Sequence, residues 1–371
     1  MTGGERVRRR ALAAAVCLVL LLLAAAPASA TIHSTPVRGI WGTNGRVWAI
    51  RRIGKVIYLG GDFTAAVGPS GQHVARAHLM AINADTGRLT SWNPGANNVV
   101  YAMAVFHDTL IVGGAFTRIH GQTRSRVAGI RASGTLTDLH VSAGALVRSL
   151  GVIGSTLYLG GRFGQVNNQH RSHLAAVDVP SGGHLTSWHP SVNKAVRVIR
   201  PLPTGQLLIG GVFTSVNGHS ERYLASFRAN GTLGDWAVHP DPDRWVEDIA
   251  QHDGMIVVAE AGQGGRVQVF NTSGHELWRV FCNGDVQAVS IADNKVIVGG
   301  HFLTVDLKAA PRLAALTFQG NLVTTWHPLP DKPVWTIRAS AKDVYVGGEF
   351  SKIRLGGTTV GTDHFADFQV S

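Results

Sequence analysis

The chain has 371 residues, a formal charge of +11 and 45% hydrophobic residues. The basic residues beyond position 30 are dispersed, with no run of five or six and no nucleic-acid motif, so we expect no nucleic-acid partner and interpret the charge as ordinary solubility charge. Cys282 is the only cysteine beyond residue 30, which excludes an intramolecular disulfide, and its apolar neighbours predict a buried thiol.

Residues 1–30 have the organisation of a secretory signal peptide. Four arginines within 6–10 precede an apolar run at 11–26, and 28–30 is an A-x-A cleavage site. A membrane anchor is the alternative, but the apolar run is short and ends at Pro27. We therefore predict an extracellular protein with no transmembrane segment after cleavage. Both the general and the twin-arginine export routes are compatible with these arginines.

The sequence Gly-Gly-x-Phe recurs six times beyond residue 30. The copies begin at Gly60, Gly113, Gly160, Gly210, Gly299 and Gly347, which are 53, 47, 50, 89 and 48 residues apart. The interval of 89 holds two periods, so a degenerate copy is expected at 257–261. Seven units of short strands at this period predict an all-β, seven-bladed β-propeller that forms one domain over 31–371.

The third unit illustrates the predicted blade. Apolar or β-branched runs at 145–153, 156–161, 174–178 and 184–188 are bounded by turn residues and indicate four strands. The glycine pair is expected to let backbones approach near the channel, and the following phenylalanine to fill the gap between blades. The tryptophans at the fourth-strand position are interpreted as packing between blades, with a row of sugar-stacking platforms as the alternative. They are Trp92, Trp188, Trp236 and Trp326.

The two ends of residues 31–371 predict how the propeller closes. The last unit ends after its third strand at 365–368, whereas 36–42 has the pattern of a fourth strand placed before the first unit. Residues 36–42 are therefore predicted to complete the seventh blade, which would remove the exposed sheet edges of an open array.

The repeat resembles a known family. Tyr158-Leu159-Gly160-Gly161-Arg162-Phe163 and Leu174-Ala175-Ala176-Val177-Asp178, followed by Trp-x-Pro, resemble the delta-60-type β-propeller repeats of secreted bacterial proteins. The resemblance covers almost all of 31–371 and implies a propeller architecture. It implies no catalytic residues, because that family is known mainly as a repeat. The fifth unit departs from the pattern.

Four arginines are the candidate ligand-binding residues. Arg76, Arg126, Arg171 and Arg222 recur near the end of the long polar loop between strands two and three. In a propeller these loops share a face with those between strands four and one, and long loops on a rigid scaffold often carry function. A ring of guanidinium forks could clamp a carboxylate or sulfate. The alternative is that each arginine caps backbone carbonyls or pairs with a neighbouring blade, as periodic residues usually do.

No metal ligand set is expected. His189, His239 and His327 each precede a proline, but they lie on different units and match no zinc spacing. The acidic stretch at 241–248 could supply hard oxygen ligands for calcium, although a polar turn is the preferred interpretation.

One stretch is similar to the tryptophan docking motif of quinone-cofactor propellers. It is Ala81-x-Asn83-x-x-Thr86-Gly87-Arg88-x-x-x-Trp92, with Asn83 where Asp is usual and Trp92 one residue late. Those enzymes resemble eight-bladed wheels with a disulfide between adjacent cysteines, unlike the seven units and single cysteine predicted here. No cofactor is therefore expected.

These observations favour a secreted, non-catalytic binding propeller, with a glycan, a cell-surface polymer or a protein as its partner. The alternative is an extracellular propeller enzyme, either a quinone-dependent sugar oxidoreductase or a hydrolase or lyase. Two carboxylates, or a histidine and a carboxylate, that converge in the channel would favour the enzyme.

Overall fold

The structure, a computed structural model, describes residues 31–234, 236 and 243–371. Within these ranges the regular structure is β-strand, with no helix. In chain order the first strands are β1 (Gly42–Thr43), β2 (Val47–Ile53), β3 (Val56–Gly61), β4 (Ala65–Val67), β5 (His73–Ala75), β6 (Leu79–Asn83), β7 (Val100–Phe106), β8 (Thr109–Gly114), β9 (Arg118–Ile119), β10 (Gln122–Thr123), β11 (Val127–Ile130), β12 (Val147–Ile153), β13 (Thr156–Gly161), β14 (Gln165–Val166), β15 (Gln169–His170), β16 (Leu174–Asp178) and β17 (His184–Leu185).

The remaining strands repeat the same order of long and short segments. They are β18 (Val196–Pro201), β19 (Leu207–Gly211), β20 (Ser215–Val216), β21 (His219–Ser220), β22 (Leu224–Phe227), β23 (Arg244–His252), β24 (Met255–Gly262), β25 (Gly265–Asn271), β26 (Glu276–Cys282), β27 (Val286–Ala292), β28 (Lys295–Gly300), β29 (Thr304–Val305), β30 (Lys308–Ala309), β31 (Leu313–Thr317), β32 (Leu329–Pro330), β33 (Val334–Ala339), β34 (Asp343–Gly348), β35 (Lys352–Leu355), β36 (Thr358–Gly361) and β37 (Phe365–Gln369).

The long strands form a series of antiparallel sheets, one for each predicted unit. From the N-terminus they are β2-β3-β6, β7-β8-β11, β12-β13-β16-β17, β18-β19-β22, β23-β24-β25-β26, β27-β28-β31 and β33-β34-β37, called the first to the seventh sheet below. The hydrophobic core lies between neighbouring sheets. Ile111 and Val127 of the second sheet, for example, belong to one buried cluster with Leu157 and Leu159 of the third.

The third sheet tests the predicted strands of its unit. The second and third strands coincide with the predicted 156–161 and 174–178, and the first begins at Val147. The fourth is reduced to His184–Leu185, because the chain leaves the sheet before Trp188. In four other sheets the fourth strand is a single bridge, such as Ile82 with Leu89.

The degenerate copy predicted at 257–261 lies in β24, the second strand of the fifth sheet, as expected. Ala259 and Glu260 occupy the two glycine positions, since they pair with the first strand as the glycines do elsewhere. Glu260 forms a buried ion pair with Arg266, 2.8 Å from Oε2 to Nε. The fifth sheet therefore carries a buried charged pair at the position of the second glycine.

The glycine pairs have the packing role predicted for them. A Cβ on Gly160 would lie 2.7 Å from Cγ1 of Val196 in the next sheet, and a Cβ on Gly161 would lie 2.1 Å from the Leu146 carbonyl oxygen. The first glycine therefore admits the neighbouring sheet, and the second admits a carbonyl of its own sheet. The phenylalanine two residues after Gly161, Phe163, is fully buried.

The fourth-position tryptophans contact the following sheet. Trp92 Nε1 donates to the Arg131 carbonyl at 3.2 Å, and Trp188 Nε1 donates to the Gly231 carbonyl at 2.8 Å. Trp326 Nε1 donates to the His33 carbonyl at 3.1 Å. This contact confirms the interpretation of these residues as packing between sheets.

The loops between strands two and three carry small hairpins. They are β4-β5, β9-β10, β14-β15, β20-β21, β29-β30 and β35-β36. A segment that precedes strand one pairs with each of the six, as Ala143 does with Val166. The fifth sheet differs, because a tight turn joins β24 directly to β25.

The N-terminal segment pairs with the last strand at an earlier position than predicted. Thr31 N donates to the Ser371 carbonyl and His33 N to the Gln369 carbonyl, each at 2.8 Å, and Ile32 bridges Val370. The prediction that 36–42 supplies this strand was wrong in its bounds. The backbone N–H of Val37 still donates to the Asp367 carbonyl at 2.8 Å. β1 does not continue along the last strand, because it pairs with β4, which lies in the loop hairpin of the first sheet.

Candidate functional site

The first strand of every sheet has a β-bulge directly after its first valine. In β2 the pairing passes from Val47 with Gly61 to Ala49 with Gly60, so that Trp48 has no partner. A bulge leaves one residue outside the ladder and re-aims its side chain. The seven bulged residues, called the channel ring here, are Trp48, Tyr101, Arg148, Arg197, Glu247, Gln287 and Trp335.

All seven residues of the channel ring line one cavity of about 510 Å³. The cavity is bounded by the first strands of the sheets, which contact one another in sequence, β2 with β7, β7 with β12, and so on to β33. The repeat thus brings one variable side chain from each unit to the same place. This convergence is the reason to regard the cavity as the candidate site.

One side of the channel ring is aromatic. The rings of Trp48 and Trp335 lie 4.5 Å apart between centroids, and those of Trp48 and Tyr101 lie 5.4 Å apart. The guanidinium of Arg148 lies over both Trp48 and Tyr101, at 5.1 and 5.2 Å from their centroids. This side therefore presents aromatic faces together with a cation, and Arg148 has no ion pair among the described residues.

The opposite side of the channel ring holds an ion pair. Arg197 Nη1 contacts Glu247 Oε1, and the Trp245 indole N–H donates to the same oxygen at 2.6 Å. Arg197 also lies over the Trp245 ring, 5.3 Å from its centroid. Glu247 is therefore held in place by two donors, and Arg197 remains partly exposed to the cavity.

Three arginines and one aspartate line the same cavity further along the strands. Arg51, Arg200 and Arg338 each follow a residue of the channel ring by three positions, which is about 10 Å along a strand. With Asp248 they are called the inner tier. The carboxylate of Asp248 accepts hydrogen bonds from two backbone N–H groups, that of Ile249 at 2.8 Å and that of Val289 in β27 at 3.1 Å.

The partners of the inner tier leave positive charge uncompensated. Arg200 Nη2 lies 3.7 Å from Asp248 Oδ1, and Arg200 Nε donates to the Ile249 carbonyl at 2.5 Å. Arg51 Nε donates to the Met103 carbonyl at 3.0 Å. In the part of the chain that the structure describes, the Arg338 side chain has neither a hydrogen bond nor an ion pair. Among the three arginines, only Arg200 is thus paired with a carboxylate of the described chain.

Burial and mutual repulsion shift the ionisation of these groups. Burial, with the charges of Arg338 and Arg200 as a second cause, lowers the pKa of Arg51 well below its usual value. Burial and the charge of Arg200 lower the pKa of Arg338 to about 10. Burial also raises the pKa of Asp248, against the opposing effect of Arg200. Burial and mutual repulsion thus act against the charged forms of Arg51 and Arg338, and the cavity lining holds more arginines than carboxylates.

The four arginines predicted from the sequence lie outside this cavity. Arg76 donates to the Ala75 and Thr90 carbonyls at 2.8 and 2.9 Å. Arg171 donates to the His170 carbonyl at 2.8 Å and, over a longer distance, to the Thr186 carbonyl. These two cap backbone carbonyls, which is the alternative stated for them.

The remaining two predicted arginines occupy different positions of the repeat. Arg126 is held at a φ of 72°, directly before the third strand, whereas Arg222 lies two residues before that strand and is exposed. The four arginines are therefore not one equivalent ring of the repeat. Ligand binding by any of them stays a prediction.

Other sequence candidates are resolved in part. Within the described ranges, no three His, Cys, Asp or Glu side chains gather as a metal site would require. His239 and the beginning of the acidic stretch at 241–248 lie outside the described residues. The segment similar to a quinone-docking motif forms a turn, in which Asn83 Oδ1 accepts from the backbone N–H of Thr86 at 2.9 Å.

The channel ring and inner tier were missed by the sequence analysis, although a signal exists. The residue after the first valine of each unit varies among Trp, Tyr, Arg, Glu and Gln, while the valine itself recurs. Packing residues of a repeat recur because every unit meets the same neighbour, whereas residues at a shared central site are free to differ. Searching the repeat for its variable position would have found the channel ring.

Comparisons with known proteins agree on the architecture. A family model described as a β-propeller domain of unknown function (DUF5122) matches residues 202–233. Among solved structures, the chain is similar to the WD40 β-propeller domain of Doa1, with a TM-score of 0.55 and 12% identity over 92% of this chain and 97% of that one. It is also similar to the computationally designed Ika8 protein, with a TM-score of 0.54 and 13% identity over 90% of this chain and 99% of that one.

No curated protein matches the sequence. The described residues contain no helix with the length and apolar character needed to cross a bilayer. Because both structural likenesses are at low identity, they bear on the fold alone. Together with the sheets described above, they show that the chain has an all-β, propeller fold.

Proposed function

We propose that this protein is a secreted, non-catalytic binding module, a seven-bladed propeller that takes an acidic glycan or acidic cell-surface polymer in its channel. Residues 1–30 are proposed as the export signal and residues 31–371 as one domain. The proposed ligand needs no metal or quinone.

Contacts between the last and first sheets support a closed ring. A Cβ on Gly347 would lie 2.7 Å from Cγ1 of Val47, much as a Cβ on Gly60 would lie 2.8 Å from Cγ1 of Val100. The seventh sheet thus meets the first as each other sheet meets its successor. The backbone bonds of Thr31 with the last residue add the proposed closing strand.

The composition of the channel ring carries the functional proposal. Trp48, Tyr101 and Trp335 offer flat apolar faces of the kind that stack on sugar rings, and Arg148 lies among them without a carboxylate partner in the described chain. A planar guanidinium fork suits the carboxylate, sulfate or phosphate of an acidic polymer. Aromatic faces without cations would suit neutral glycans instead.

Binding is tested with the purified protein on an array of neutral and acidic glycans and wall polymers. Trp48→Ala and Arg148→Gln should each weaken binding of the acidic ligands at least about tenfold, the effect of losing one charge-assisted contact. Arg88→Gln, an exposed arginine outside the cavity, is the matched control. Equal binding by all three variants, with the fold intact, would contradict the proposal.

The loop arginines form a second arm of the same experiment. Arg126→Ala and Arg222→Ala test whether the ligand also reaches the face of the long loops. Arg76→Ala and Arg171→Ala are expected to act on stability, since their side chains already donate to carbonyls. Binding should be unchanged by EDTA. Loss of binding in EDTA would replace the proposal with a metal-dependent one.

One observation favours the enzymatic alternative. Glu247 and Asp248 both line the channel, and burial raises the pKa of Asp248, as in a general acid. A hydrolase acting on the bound glycan would use such a pair. Turnover of a bound glycan by the wild type and its loss in Asp248→Asn would move the protein to the enzyme class. Absorbance appearing on addition of quinone and calcium would indicate the oxidoreductase.

A further inference from the structure

The inner tier is a charge cluster that the binding of a polymer at the channel ring does not by itself explain. Arg51, Arg200 and Arg338 come from the first, fourth and seventh sheets, and their first strands all border the cavity. Three arginines and one carboxylate, Asp248, give the inner tier an excess of basic groups. Like charges held together in a cavity cost stability unless an anion joins them.

The inner tier has donors that are already oriented and still free to bind. The Nε groups of Arg51 and Arg200 are fixed on the carbonyls of Met103 and Ile249. No described residue accepts from the Nη groups of Arg51 or from the guanidinium of Arg338. When the Nε of an arginine is held by a carbonyl and its Nη groups have no acceptor, the guanidinium group is already oriented to bind an oxyanion.

We propose that the inner tier binds the phosphate group of a phosphorylated saccharide, with the sugar lying against the aromatic residues of the channel ring. The proposal rests on the binding function proposed above and specifies the chemistry of its ligand. A phosphate monoester carries about −1.5 to −2 charges at pH 7, so it offsets more of the excess basic charge of the inner tier than a singly charged anion does. A carboxylate or a sulfate monoester, with one charge, would offset less of it.

The spacing of the two layers agrees with such a ligand. The three arginines of the inner tier follow residues of the channel ring by three positions, about 10 Å along a strand. A phosphate bound at Arg338 would therefore place its sugar within reach of two rings of the channel ring. Trp335 precedes Arg338 on the same strand, and the ring of Trp48 lies beside that of Trp335. The aromatic rings would select a sugar, and the arginines would select its phosphate.

The test measures binding of inorganic phosphate, glucose 6-phosphate, glucose and glucuronate to the purified protein by calorimetry and thermal shift. Glucose 6-phosphate should bind more tightly than inorganic phosphate, and phosphate more tightly than glucose or glucuronate. Arg338→Gln should weaken phosphate binding at least about tenfold, because one charge-assisted contact is lost. Arg88→Gln, outside the cavity, should bind phosphate as the wild type does.

Arg338→Gln should not fail to fold, since removing one of three repelling charges keeps or raises the melting temperature of the free protein. Trp48→Ala should reduce the preference for glucose 6-phosphate over inorganic phosphate and leave phosphate binding itself intact. Absence of phosphate binding in the wild type, or equal binding by Arg338→Gln, would overturn the proposal. If polymers still bind and Trp48→Ala abolishes that binding, the binding function stands without a phosphate site.

Discussion

At the scale of single residues, burial decides which ionisable groups behave unusually. Cys282, the last residue of β26, is buried and pairs with β29. Burial raises the pKa of its thiol to about 12, so the buried thiol predicted from the sequence is confirmed. Asp367 is a less expected case. It lies in β37 opposite Tyr345, is 4% exposed, and its Oδ1 has no hydrogen-bond partner among the described residues.

Asp367 should give stability a measurable dependence on pH. Burial, assisted by the nearby charge of Asp343, raises its pKa to about 7, whereas an unfolded aspartate titrates near about 3.9. Between these values the folded protein holds the proton and the unfolded chain does not. The protonation of Asp367 therefore stabilises the folded protein fully below about pH 4. This stabilisation is lost as the pH rises to about 7, and the free energy of unfolding falls by up to about 1.4 kcal/mol per pH unit.

Asp367→Asn removes this titration. We expect the free energy of unfolding of the variant, relative to the wild type, to increase as the pH rises from 5 toward 7 and then to level off. Urea unfolding at several pH values measures the difference. Asp85→Asn is the control, because Lys55 lowers the pKa of Asp85 and that carboxyl stays ionised throughout this range. A constant difference between Asp367→Asn and the wild type would show that Asp367 titrates normally.

At the scale of the strand, two local features give each sheet its form. The glycine pair at the end of the second strand lets backbone and neighbouring sheet approach, and the bulge in the first strand turns one side chain into the channel. The first feature recurs in sequence and was predicted. The bulge itself is defined by pairing with the adjacent strand, so the sequence shows only the variable residue at its position.

Gly161→Val tests the glycine feature. A Cβ at this position would meet the Leu146 carbonyl oxygen at 2.1 Å, so the backbone must shift. The free energy of unfolding should fall by about 1–3 kcal/mol, the usual range for overpacking. Gly164→Val is the matched control, since a Cβ on Gly164 would have no other atom within 4 Å and the φ of Gly164 is not left-handed. The packing role is disproved if both variants unfold at the same denaturant concentration.

At the scale of the whole molecule, the proposed ring depends on contacts between the two ends of the described chain. Thr31 and Ser371 exchange backbone hydrogen bonds. Ile32, 4% exposed, belongs to a buried cluster with residues of the sixth and seventh sheets. Trp326 also bonds the carbonyl of His33, so the N-terminal segment receives the same contact that the turns of other sheets receive.

Ile32→Ala tests this closure. Removing a buried isoleucine should lower the free energy of unfolding by about 2–5 kcal/mol. Leu307→Ala is the control, because Leu307 is 96% exposed at the tip of a hairpin and its loss should change stability by less than about 0.5 kcal/mol. Both variants are followed by thermal and denaturant unfolding. An unchanged stability for Ile32→Ala would mean that the N-terminal segment is not part of the ring.

The sequence by itself determined the repeat, the β class, the strand positions and the propeller fold, because packing residues recur wherever identical neighbours meet. It also indicated the packing role of the tryptophans, which Trp188 illustrates. Only the tertiary structure decided which part of the N-terminus pairs with the last strand, since 31–33 and 36–42 compete on local pattern alone. It also decided the candidate site. Residues as distant in sequence as Arg51 and Arg338 meet only where the first strands converge, and no local spacing records that meeting.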